Sequence, residues 1–350
     1  MSCSGALVEA NILREKTPGC DISPNGVTWS NMFPFSSQRA ADMDLKLAMV
    51  EMVLLGLIGL SREAIQRPDY DDTATPEFLN PSWMAHLPDN RSISEVTMPG
   101  THNTMALYGS PLAECQSWTL SLQLQAGVRF LDIRVRYKNN NLTIHHGISY
   151  QYAHFGDVLQ GVANFLQQHP SEMVLMRLRE ELSETGDIYH AVVRYIHQYA
   201  SWDMLWHSRR VPTVGEARGK LIILQDFPGP ALGMYYRSLD IADDWKVPSL
   251  DHAAEKWTKV YSHLEKATKG DKTLVFLTYT SGASIQAWPY ALARRINPLL
   301  YDYLTARAGQ TRRLGIITSD YPAAPLLNAT IHFNYGGSTT PTPSTPVTHL

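Results

Sequence analysis

The chain has 350 residues, enough for one α/β barrel of about 250 residues with extra segments, or for about two smaller domains. Thirty Lys+Arg against 33 Asp+Glu give a net charge of −3, so the basic surplus that holds nucleic acid by counterion release is absent. Hydrophobic residues at 44% and charged residues at 18% describe a chain that folds.

In chain order, residues 1–42 mix turn formers (Pro18, Gly19, Pro24, Gly26, Pro34) with no sustained period, which predicts a loose or disordered leader. Residues 43–80 form an N-terminal helix or signal-like segment. Their apolar stretch 47–60 (LAMVEMVLLGLIGL) has 14 residues, against roughly 20 for a bilayer span, and contains Glu51, so it predicts no transmembrane helix. A buried or amphipathic helix and the h-region of a secretory signal, preceded by Lys46, both stay open. Cys3, Cys20 and Cys115 are too far apart for a disulfide framework or a paired-cysteine metal knuckle.

From Pro81 to Tyr335 short apolar strands alternate with amphipathic helices, the pattern of βα units. Strands are predicted at 93–98, 129–135, 142–146, 173–178, 220–224, 273–278 and 314–318, with a weaker one at 239–241. Seven or eight parallel strands predict an α/β fold of the TIM type, an irregular (β/α) barrel. The clearest helix runs from Phe155 to His169, with Phe155, Val158, Leu159, Val162, Phe165 and Leu166 on one face and Pro170 as its stop. Further helices are expected at 187–200, 251–268 and 288–305, the last kinked or restarted at Pro298. The tail 336–350 (GGSTTPTPSTPVTHL) has nothing to pack and is expected to be disordered.

Ionisable residues gather where a barrel carries its chemistry. His102, Asp132, Arg134, His146, Arg179, Asp226 and Asp320 each stand at or just past the end of a predicted strand. In PGTHNT, Pro99 and Gly100 are expected to form an exit turn presenting His102, which on its own is more often a surface or capping residue. In FLDIRVR the alternation places Asp132 and Arg134 on one face, either as a register-setting ion pair or as an arginine held by carboxylates to grip phosphate. In LTIHHG the two histidines point to opposite faces, so one of His145 and His146 enters the barrel mouth. Two histidines, an arginine and carboxylates suit phosphodiester cleavage: one His removes a hydroxyl proton, the other protonates the leaving oxygen, and Arg stabilises the phosphorane-like charge.

Together PGTHNT, GVRFLDIRVR, TIHHG, SEMVLMRLREE, GEARGKLIIL, SGASIQAWPY with INPLL, and RLGIITSDY, in this order over about residues 80–335, resemble the bacterial-type phosphatidylinositol-specific phospholipase C family. The resemblance implies an irregular X-domain-like (β/α) barrel and cleavage of phosphatidylinositol, or a glycosylated derivative, to diacylglycerol and inositol 1,2-cyclic phosphate. It implies a catalytic group of His102 (general base, oriented by Asp320), His146 (general acid), Arg134 (phosphate), Asp132 and Asn103. Arg179, Asp243, Trp245 and Asp226 fall where the family binds inositol. Trp288 matches a rim tryptophan that enters the lipid interface, and Trp118 is expected near a second. Calcium-dependent relatives carry a Glu two residues before the Asp matched by Asp132; Phe130 stands there, and Arg134 replaces the cation, so no metal and no cofactor are expected.

Two positions depart from the family. Asn103 stands where the metal-free enzymes have an Asp supporting the general acid, which favours a slower enzyme or a lipid-binding barrel with weak catalysis. Asp226 stands where the family has an inositol-contacting Arg, which favours the same reaction on another headgroup. The expected partner is a phospholipid at a membrane interface. Sequons at Asn90, Asn141 and Asn328 and the Ser/Thr/Pro tail fit a secreted or peripherally membrane-associated protein.

Overall fold

A computed structural model of the chain describes residues 64–183, 186–335 and 344–346. The leader over 1–42, the apolar stretch 47–60 and all of the tail but Ser344–Pro346 lie outside the described residues.

The strands are β1 (Phe78–Leu79), β2 (Met98–Thr101), β3 (Phe130–Lys138), β4 (Asn141–His146), β5 (Ser149–His154), β6 (Val174–Glu180), β7 (Leu221–Asp226), β8 (Met234–Tyr235), β9 (Asp240–Ala242), β10 (Phe276–Tyr279), β11 (Ile316–Ser319) and β12 (Ser344–Pro346). Eight of them pair in parallel in the order β8-β7-β6-β3-β2-β11-β10-β9. That order follows the chain around a cycle through β11 and β2, and among the described residues no ladder joins β8 to β9. The result is an α/β barrel open at one seam. The helices are α1 (Leu120–Ala126), α2 (Phe155–Gln168), α3 (Ile188–Tyr199), α4 (Val214–Ala217), α5 (Ala253–Lys269), α6 (Pro289–Thr305) and α7 (Ala324–His332).

The two-residue period of the strands builds two cores. Leu131, Ile133 and Val135 of β3, with Met176, Leu178 and Ile223, face outward against Phe155, Val158, Leu159 and Val162 of α2 and Val192 and Ile196 of α3. Met98, Phe130, Leu175, Ile222, Leu224, Leu277, Tyr279 and Ile316 fill the interior. Each such fully buried side chain contributes roughly 1.5–3 kcal/mol. The interior fills the barrel below the strand ends, leaving a polar mouth.

Three sequence expectations need correction. Ile93–Glu95 is a 3-10 turn in which the Ser92 side chain accepts from Ser94 N, and the strand begins at Met98. Pro99 and Gly100 therefore lie inside β2, not in an exit turn. The strand at 142–146 does not belong to the parallel set: β4 pairs antiparallel with β3 and β5. Asn139 and Asn140 both take positive φ, 50° and 62°, so the chain reverses in two residues and cannot cross over to a parallel neighbour. Finally, α6 runs through Pro298 without restarting.

Of residues 64–80, grouped by sequence with the N-terminal segment, those around Tyr70 and Asp71 pack on the loop after β11. Tyr70 is fully buried, bridges to Pro322, and its ring lies 5.5 Å from that of Tyr321.

Candidate active site

The site begins at two adjacent strand ends. Register pairs Ser319 of β11 with Thr101 of β2, so the next residues, Asp320 and His102, stand side by side. The approach of β3 requires Gly100, because a Cβ there would come within 2.8 Å of the Phe130 side chain. Asp320 is buried, and its Oδ1 accepts a 2.8 Å hydrogen bond from His102 Nδ1. On the other side of the ring Arg134 Nη2 donates to His102 Nε2 at 3.1 Å. A carboxylate only accepts and a guanidinium only donates, so the two contacts define one neutral tautomer, with the proton on Nδ1 and a lone pair on Nε2.

Arg134 and Asp132 share the inward face of β3, as the alternation predicts. Arg134 reaches Asp132 Oδ2 at 3.2 Å and Glu181 Oε1 at 3.5 Å. Asp132 also takes Arg177 Nη1 at 3.4 Å and the backbone N–H of Asn103 at 3.2 Å. Burial pushes the Asp132 carboxyl upward, but Arg134 and Arg177 outweigh it and hold the group well below the usual carboxylate range. Asp132 lies inside β3, is 1% exposed and is not among the residues lining the mouth.

His146 arrives on the β4–β5 hairpin. Its ring centroid is 6.5 Å from that of His102, edge to face, and its Nδ1 donates to Ala113 O at 2.7 Å. Burial, with the charge of Arg134, lowers its pKa below the ordinary histidine value, against the Ala113 carbonyl, which raises it. His145 turns away and packs on Tyr150, with ring centroids 5.5 Å apart.

Between these groups lies a cavity of about 300 Å³, lined by His102, Arg134, His146, Gly147, Arg179, Glu181, Asp243, Trp245 and Pro289 among others. Arg179, Asp243 and Trp245 are thus brought to the histidines, although they come from β6 and the segment after β9. Asp226 is not. It is bound by Arg177 through Nη2 at 2.7 Å and Nε at 3.1 Å, and it borders a separate cleft with Gln225, Phe227, Tyr235 and Arg237. Asn103, at φ +41°, turns its amide onto Cys115 Sγ at 3.8 Å and not onto His146. Trp118 is 2% exposed in the outer core, which removes it from the rim. Trp288 is 37% exposed at the start of α6, its indole N–H bonded to Ile285 O.

Two groups that the sequence reading passed over belong to the site. Glu181 accepts from Arg134 and, through Oε2 at 3.2 Å, from the N–H of Gly147 beside His146. Arg177 joins Asp132, Asp226 and the Tyr279 hydroxyl in the barrel interior. Among the described residues one trio of metal-competent side chains, His102, Cys115 and Asp320, brings ligand atoms within 4.8 Å of one another. The arrangement as a whole sets two imidazoles and a fixed guanidinium around one small cavity, groups able to move protons on either side of an anionic centre.

The family model for the phosphatidylinositol-specific phospholipase C X domain matches residues 90–226. The chain is similar to the 1-phosphatidylinositol phosphodiesterase of Listeria monocytogenes, 29% identical over 262 residues that cover 69% of this chain and 80% of the relative. It is 25% identical over 279 residues to the enzyme of the same name from Staphylococcus aureus, covering 69% of this chain and 88% of that one. The solved phosphatidylinositol-specific phospholipase C from Listeria monocytogenes superposes with a TM-score of 0.65 at 27% identity, covering 73% of this chain and 98% of that structure.

Proposed function

Because the chain belongs to the phosphatidylinositol-specific phospholipase C X-domain family, we propose that it cleaves phosphatidylinositol, or a glycosylated derivative, to diacylglycerol and inositol 1,2-cyclic phosphate without a metal ion. The carrying observation is His102, held between Asp320 and Arg134 at the cavity that His146 faces from the hairpin, with an Nε2 lone pair that becomes free when Arg134 turns to a phosphate. His102 Nε2 takes the proton of the inositol 2-hydroxyl as that oxygen attacks its own phosphorus, and Asp320 stabilises the imidazolium that forms. Arg134, fixed by Asp132 and Glu181, directs its guanidinium at the non-bridging phosphate oxygens. His146, with Nδ1 on Ala113 O, carries its second proton on Nε2 and delivers it to the diacylglycerol oxygen. Arg179, Asp243 and Trp245 complete the headgroup pocket.

In support of an inositol headgroup, the Asp226 carboxylate pairs with Arg177 and borders a separate cleft. The membrane surface is the partner of the open mouth, with Trp288 on its rim; among the described residues no helix is long and apolar enough to cross a bilayer. Phosphorus NMR on mixed phosphatidylinositol and phosphatidylcholine micelles in EDTA tests the reading. A cyclic inositol phosphate signal that survives chelation and is lost in His146→Ala is expected. Turnover that EDTA abolishes would overturn the role of Arg134, and turnover of neither lipid would overturn the function.

A further inference from the structure

We propose that His102, Cys115 and Asp320 form a binding site for a thiophilic divalent cation, zinc being the best match, and that occupying it switches the acid–base pair off. The proposed reaction needs no metal and uses no cysteine, so this site is an addition to it.

The three side chains converge on one point from three segments. His102 Nδ1 and Asp320 Oδ1 are 2.8 Å apart, and with Cys115 Sγ the ligand atoms all lie within 4.8 Å of one another. Around a tetrahedral zinc ion such atoms stand roughly 3.4–3.6 Å apart, given the usual metal–ligand lengths. The His–Asp pair has to open slightly and the sulfur to close in. A second observation points to a ligand: Asp320 is 1% exposed, and its Oδ2 has no hydrogen-bond partner. A buried carboxylate oxygen left unpaired is costly, and a cation would satisfy it.

The backbone holds the trio in place. Cys115 N–H donates to Ala106 O at 2.9 Å, and Tyr321 N–H donates to Cys115 O at 3.1 Å, tying the cysteine to the loop that carries Asp320. The Gln116 amide donates to His102 O at 2.8 Å and Ser319 O at 3.0 Å, bridging the other two segments. The sulfur itself makes only long contacts, 3.8 Å to the Asn103 amide and to Ala113 O and 3.9 Å to His146 Nδ1, so the one strong bond given up is that between His102 and Asp320.

Donor type decides the ion. Thiolate, imidazole and carboxylate together suit zinc, whereas calcium and magnesium require oxygen ligands. Three protein ligands leave a fourth position for water. His102 lines the cavity and gives an arriving ion its first ligand.

The inhibitory step balances simply. The metal takes Nδ1 of neutral His102, so the ring proton moves to Nε2, the position that must accept the substrate hydroxyl proton, and Arg134, which only donates, gives up its bond to Nε2 and keeps Asp132 and Glu181. The Cys115 thiol proton goes to solvent, and Asp320 turns from the imidazole to the metal.

The test uses the full chain, stripped with EDTA, in wild-type, Cys115→Ser and Cys115→Ala forms. Cobalt(II) serves as the spectroscopic probe and zinc as the inhibitor. One cobalt per chain with a thiolate-to-cobalt charge-transfer absorption is expected in the wild type and absent in both variants. Zinc is expected to lower wild-type phosphatidylinositol turnover at least tenfold relative to EDTA, and to leave that ratio near one in the variants. The two replacements bracket the size and polarity of the thiol, so one folded variant is enough. Absence of the band, its persistence without Cys115, or equal zinc inhibition in all three forms would overturn the site. A band with unchanged wild-type turnover would overturn the switch. The spectrum does not depend on lipid cleavage: a band in a protein that turns over no inositol lipid would keep the site and reject the proposed function.

Discussion

His102 shows how much of a residue's chemistry its neighbours set. An acceptor on Nδ1 and a donor on Nε2 leave one tautomer, and only that tautomer keeps a lone pair on Nε2, where it accepts from Arg134. His146 is set by burial and the nearby charge of Arg134, which lower its pKa. A general acid must carry its proton, so with a lowered pKa its active fraction is full at low pH and is lost as pH rises through a value below the ordinary 6.5 or so. The alkaline limb of kcat/KM is therefore expected below about 6.5. Bound phosphate favours the imidazolium, so the limb of kcat is expected at higher pH than that of kcat/KM; pH–rate profiles check both, and coincident limbs above the ordinary histidine range would reject His146 as the acid. At this scale much was legible: the period-two argument that joins Asp132 to Arg134 applies equally to Arg177, Arg179 and Glu181 along β6 and just past its end. What it does not reveal is that Arg177 turns to Asp226 and Asp132 while Glu181 turns to Arg134, because those choices are made across strands.

Among the elements, the β3–β4–β5 excursion matters most to the site. β3 runs nine residues, past the length its parallel neighbours use, and the Asn139-Asn140 turn sends the chain back so that His146 overhangs the mouth. Asparagine tolerates the left-handed region; a β-branched residue does not. Asn140→Val is expected to cost about 1–2 kcal/mol in a denaturation midpoint and to lower kcat as the hairpin carrying His146 loosens. Loss of stability with unchanged kcat would show that the hairpin's register is held elsewhere. The helix over Phe155–Gln168 was legible to within a residue, since six apolar positions on one face leave no other solution. β8, with two residues, and α1, with seven, were not, because elements that short have too few turns or alternations to display a period.

Over the whole molecule, chemistry and stability separate to opposite ends of the barrel, as the fold allows. At the end away from the mouth, Arg129 precedes β3 and Glu172 precedes β6. Both are fully buried and joined at 2.7 and 2.9 Å. Arg129 also donates to the carbonyls of Leu124, Val128 and Pro81, and Glu172 receives the N–H of Met84, so the pair ties the N-terminal turn to the barrel floor. Glu172→Gln leaves a buried guanidinium without its counter-charge and is expected to lower stability by about 3–5 kcal/mol, read as a fall in the denaturant midpoint. Turnover per folded molecule is expected to stay the same; a matching loss of kcat would mean that floor and mouth are coupled.

By itself the sequence determined the fold class and the gathering of ionisable residues beside strand ends. Both are written locally, as strand and helix periods and as ionisable residues beside strand ends, and each is readable within about ten residues. Only the tertiary structure decided which histidine of the adjacent pair faces the cavity, that Asn103 bonds to a thiol and not to His146, and that Asp226 is paired with Arg177 away from the pocket. Those outcomes depend on contacts between residues many positions apart, where strand register and hairpin geometry fix distances that a linear pattern does not contain.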